Sequence, residues 1–79
     1  MARPVEFDAA NAVYAADQPE YEPLHAHRTP TGRVTSCWEL SAEELAIVQR
    51  TGRVYLTQLT FNNPLQPVFI SATAEAMND

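Results

Sequence analysis

The stretch Val34-Thr35-Ser36-Cys37-Trp38-Glu39-Leu40-Ser41-Ala42-Glu43-Glu44-Leu45-Ala46-Ile47-Val48-Gln49-Arg50-Thr51-Gly52 changes its periodicity midway, and that change sets the fold class. Its opening is rich in β-branched and aromatic residues, and alternation puts Val34, Ser36, Trp38 and Leu40 on one face of a strand. Ser41 then stands as an N-cap, with Glu44 at the capping-box position and Gly52 ready past the C-terminus, so residues 42–50 read as a helix. Leu45, Val48 and Ala42 form its inner stripe, which leaves Ile47 on the opposite side in need of cover.

Working outward toward the C-terminus, residues 53–60 read as a second strand and 68–72 as a third, joined across the turn-forming run Asn62-Asn63-Pro64-Leu65-Gln66-Pro67. Thr31-Gly32-Arg33-Val34 recurs as Thr51-Gly52-Arg53-Val54, and in both copies the glycine lets the chain turn into a strand. The expected core is Trp38, Leu40, Leu45, Val48, Val54, Leu56 and Ile70. The last residues, 75–79, are expected to fray.

Toward the N-terminus, residues 1–32 hold Pro4, Pro19, Pro23 and Pro30, which argues for an irregular arm packed on a 33–79 core. A short helix or strand over 10–16 stays open, because the alanines there decide nothing. The expected architecture is therefore α+β: one small sheet of about three or more strands, in strand-helix-strand-hairpin order, with one short helix packed on it. The whole is one domain of 79 residues.

Charge excludes some partners. Ten acids against five bases, all arginine, give a net charge of −5, which disfavours nucleic acid and anionic lipid. No stretch approaches the roughly 18 apolar residues of a membrane span, and no signal peptide follows the first residues. The single cysteine fits a reducing compartment. Residues 54–74 contain no charge at all, and an uncharged edge invites pairing with another chain. With a core this small, self-association is expected, a dimer being the simplest closed form.

No catalytic set is complete. Cys37 with His25 or His27 lacks the spacing of a nucleophile and its base, and mid-strand beside Trp38 the thiol reads as a packing group. His25 and His27 share one side of an extended segment and could join Glu20, Glu22 or Asp17 around a metal. No second His or Cys pair exists to close a structural zinc site, so they read as surface residues, and neither metal nor cofactor is assigned. Arg33, Arg50 and Arg53 would gather at one end of the sheet if a right-handed crossover joined parallel strands around the helix. Guanidinium groups there could hold a small anion or a partner's carboxylates, and Tyr55 and Tyr21 are the aromatic types that dominate interfaces. The competing reading pairs these arginines with the helix C-terminus and the acidic arm.

The runs Ser36-Cys37-Trp38-Glu39-Leu40-Ser41, Thr51-Gly52-Arg53-Val54-Tyr55-Leu56, Leu59-Thr60-Phe61 and Pro64-Leu65-Gln66-Pro67, with Asp17 to Leu24 before them, carry a resemblance. Together they resemble small proteins encoded widely in tailed bacteriophages and prophages. The resemblance implies an accessory protein of the infected bacterial cytoplasm, or a virion component. It carries no site residue with it. The expected role is non-catalytic: binding a host or phage protein or a small anionic ligand, as an inhibitor of host defence or a signal binder, with virion structure or assembly as the alternative. A metal-dependent enzyme is the weaker reading.

Overall fold

The computed structural model describes residues 2–19, 21–73 and 77. The fold is α+β, with one antiparallel sheet and one helix. Strands β1 (Arg3–Val5), β2 (Ala12–Tyr14), β3 (Leu24–Arg28) and β4 (Val34–Glu39) precede the helix α1 (Ala42–Thr51). The sheet order is β1-β4-β3-β2, so β2, β3 and β4 form consecutive hairpins and β1 returns to the far side of β4.

The β3–β4 hairpin closes through local chemistry. Pro30 and Gly32 sit at the second and fourth positions of a turn in which the Gly32 N–H donates to the Thr29 carbonyl at 3.0 Å. Gly32 has φ 94°, a value open to glycine. The Thr29 N–H donates to the Arg33 carbonyl at 2.9 Å, and the Arg33 N–H returns to Thr29 Oγ1 at 3.0 Å. Farther along β3, the Asn11 amide behaves like an extra peptide. Its Oδ1 accepts from the Arg28 N–H at 2.7 Å while its Nδ2 donates to the Arg28 carbonyl at 3.1 Å.

The helix ends as its sequence demands. Ser41 accepts from the Glu44 N–H and Glu44 accepts from the Ser41 N–H, a complete capping box, and Gly52 closes the C-terminus at φ 68° with its N–H on the Val48 carbonyl at 2.7 Å. Replacing Gly52 by alanine puts a Cβ at a left-handed residue and should cost about 1 kcal/mol, as should Ser41→Ala through the lost N-cap. Both are checked by thermal melts followed at a helix-sensitive wavelength; no change in either would contradict the caps. The Ser41 N–H, then the Ser41 hydroxyl and the Ala2 N–H, hold the Glu44 carboxyl below its ordinary range against the opposing effect of burial. A lowered folded-state value means that the stabilisation is present above the unfolded carboxylate range and is lost as pH falls through the folded one. Helical signal should therefore decline on acidification, and Glu44→Gln should flatten that dependence.

The placement of strands departs from expectation in both halves. The Pro-rich N-terminal segment supplies β1, β2 and β3, because Pro19 and Pro30 fall in turns, Pro23 lies just before β3, and Pro4 sits on an edge strand where a missing donor is tolerated. Among the described residues no strand follows α1, so 53–60 and 68–72 are not strands. Phe61 and Asn62 have φ 53° and 65°, and the Asn63 N–H donates to the Thr60 carbonyl at 3.0 Å, the signature of a mirror-image hairpin turn. A ladder built on that turn would oppose Leu56 to Pro67 where an N–H must donate, and Pro67 has none. Residues 53–73 are thus an arm outside helix and strand, with the turn of a hairpin and none of its rungs.

The core is correspondingly small. Ala26 is fully buried and Thr29 nearly so, while Trp38 is 51% exposed and Leu45, Val54, Leu56 and Ile70 are exposed as well. Leu40 and Val48 are half-buried. The helix has no buried residue. The expected core assumed strands after the helix to cover it, and these are absent.

Candidate functional site

Strand register sorts the side chains into two faces. Ala12, Ala26 and Ser36 stand opposite one another across β2, β3 and β4, as do Pro4 and Trp38 across β1 and β4, and Tyr14 and Leu24 across β2 and β3. With alternation, Pro4, Ala12, Tyr14, Leu24, Ala26, Arg28, Val34, Ser36 and Trp38 share one face. The other carries Arg3, Val5, Val13, His25, His27, Thr35, Cys37 and Glu39. The first face is largely apolar, with Arg28 at one end beside Val34, and the second is mixed, with Val5, Val13 and Cys37 among its polar groups.

The largely apolar face is only part-covered. Val34 and Trp38 are each about half exposed at its β4 side. The indole N–H of Trp38 donates to Ser36 Oγ at 2.8 Å, so the ring's polar edge is already satisfied within its own strand. What remains bare is ring surface. Among the described residues the large exposed apolar side chains concentrate in the arm: Tyr55 at 87%, with Leu59, Phe61 and Phe69 each well over half exposed. None of the arm residues 54–73 is charged.

The mixed face brings Cys37, His25 and His27 together on one side, as the extended reading anticipated for the histidines. His27 Nδ1 lies 2.8 Å from the Ala9 carbonyl, a hydrogen bond that tethers the segment before β2. Cys37 is exposed. Among the described residues no group of three or more His, Cys, Asp or Glu is placed to hold a metal ion, and Glu20, one of the carboxylates considered, lies outside them. Glu22 accepts from Arg3 at 2.9 Å, an exposed ion pair that raises the Arg3 pKa.

The candidate arginines sit on separate elements. Arg33 follows the β3–β4 turn, Arg50 lies in the last turn of α1, and Arg53 follows its cap with its N–H on Thr51 Oγ1 at 3.3 Å. The route expected to gather them was a crossover into a parallel strand, and no such strand is present among the described residues. Tyr55 stands in the arm and Tyr21 in the β2–β3 connection, where its N–H donates to the Gln18 carbonyl at 2.9 Å. Sequence reading picked Tyr55 as an interface residue but took the Trp38 face for core. The missing signal was the absence of strands beyond the helix. No helix is long and apolar enough to cross a membrane among the described residues.

Comparison with protein-family models, with curated proteins and with solved structures returns no match.

Proposed function

We propose that this protein acts by association and not by catalysis, as a small acidic accessory or assembly protein of the tailed-phage kind that its sequence resembles. The observation that carries this reading is the arm: residues 53–73 form no helix or strand, are uncharged over 54–73 and are rich in exposed aromatic and aliphatic side chains. An apolar surface of that kind marks a protein interface, and a charged ligand finds no opposite charge on it. The partner class is protein. A small anionic ligand held by Arg33, Arg50 and Arg53 fits less well, since the crossover meant to gather them is missing.

The working place that goes with this reading is the infected bacterial cytoplasm, or the particle assembled there. A tagged chain expressed with and without phage infection, followed by mass spectrometry of its complexes and of purified particles, separates the two. Stoichiometric copies in particles support an assembly role; a single host protein retained without infection supports action on a host target. Either association should be lost in Leu56→Asp or Phe69→Asp. Arm variants that keep every wild-type association would refute the reading.

A further inference from the structure

We propose that the partner of the arm is a second copy of this chain, in a reciprocal dimer where residues 53–73 of each copy cover the Trp38 face of the other. This rests on the association reading above and names the partner of the same surface.

Area is the first argument. The chain exposes 6937 Å², whereas a folded monomer of 8.8 kDa exposes about 4,800 Å². The excess, roughly 2,100 Å² per chain, gives about 4,000 Å² for a pair, within the range of obligate dimers. The radius of gyration agrees: 13.8 Å, against about 11.6 Å for a compact chain of this length. An excess of this size is enough to supply such an interface.

Complementarity is the second. One chain carries both halves of the contact, an apolar arm and a largely apolar sheet face, the latter bare at Val34 and Trp38 on its β4 side. Exchange about a twofold axis satisfies both at once and closes the assembly. The indole N–H of Trp38 is already bonded to Ser36, so an apolar arm can lie on the ring without stranding a buried donor. Reach is adequate: the limbs on either side of the Phe61-Asn62 turn, 53–60 and 63–73, span up to about 28 and 38 Å if drawn out, against the molecule's longest extent of 36 Å.

Charge is the third. At −5 per chain, two bodies repel one another, and the segment proposed to cross between them, 54–73, contributes nothing to that repulsion. Added salt should therefore strengthen association, because it screens the repulsion between the bodies and has no ion pair of the arm to weaken.

The test uses the full chain in a Cys37→Ser background, so that engineered thiols are the only ones. One preparation carries Val34→Cys and a second, differently tagged, carries Phe69→Cys. Mixed under oxidising conditions, they should give a disulfide-linked heterodimer, which no intramolecular contact can produce. Light scattering should return twice 8.8 kDa for the unmutated chain. The emission of Trp38, its single tryptophan, should shift to the blue as concentration rises through the association range. Phe69→Asp should give a monomer with red-shifted emission and an unchanged sheet spectrum. An intramolecular link in the double variant Val34→Cys/Phe69→Cys at monomer mass would overturn the proposal, because the arm then covers its own sheet. A dimer that neither cross-links nor moves the Trp38 emission would overturn it too. A monomer at every concentration whose arm still captures another protein overturns it while leaving the association reading intact.

Discussion

Thr29→Val should lower the stability of the sheet by about 1 to 3 kcal/mol, the cost of leaving a hydrogen-bonding group without its partner. Valine keeps the β-branched shape and removes the one atom that matters. Thr29 is among the few well-buried residues, and its Oγ1 accepts the Arg33 N–H at 3.0 Å while lying 3.3 Å from Thr31 Oγ1. The Arg33 N–H loses this acceptor in the variant, at the point where β3 turns into β4. Small domains have only about 5 kcal/mol of stability to lose, so the midpoint of a urea melt should fall markedly. Thr29→Ser retains the oxygen and should recover most of the loss. Equal midpoints for valine and wild type would show that the hydroxyl does not hold the turn.

Asn11→Ala should cost a comparable amount, about 1 to 3 kcal/mol, because it deletes a donor and an acceptor together at roughly 0.5 to 1.5 kcal/mol each. The amide contributes both hydrogen bonds to the backbone of Arg28 at the C-terminal end of β3, beyond the reach of β2, whose pairing stops at Ala26. The most direct readout is amide hydrogen exchange at Arg28, which should accelerate by about tenfold for each 1.4 kcal/mol lost. Unchanged protection at Arg28 would mean that the side chain does not complete the strand.

What the sequence disclosed was local, and what it hid was relational. The helix was legible because Ser41, Glu44 and Gly52 determine its ends through bonds made within a few residues. Strand β4 was legible from Val34 to Glu39, where β-branched and aromatic residues alternate. Strand β3, Leu24-His25-Ala26-His27-Arg28, has no such composition; it is a strand because the Thr29–Gly32 turn folds it onto β4 and Asn11 secures its end. The converse error occurred at Val54-Tyr55-Leu56-Thr57, whose side chains favour a pleated surface but whose backbone finds no partner among the described residues. The face holding Trp38 was identified correctly by alternation, yet its exposure depends on the path of the chain beyond the helix. The arginines were individually visible; their proposed meeting depended on a strand that is not there.

The prolines of the arm have one more consequence. An exposed, uncharged stretch containing Val54-Tyr55-Leu56 and Val68-Phe69-Ile70 has the composition that seeds stacked fibrils, in which every backbone amide must bond to the chain above or below. Pro64 and Pro67 each remove an amide from that scheme, and two such gaps so close together interrupt any continuous stacking. Side-chain contact with one neighbour survives their presence, whereas stacking that runs through both apolar runs does not. Pro64 and Pro67 thereby act as gatekeepers, and substituting both with threonine should turn a clear concentrated solution into one that scatters light and binds amyloid dyes.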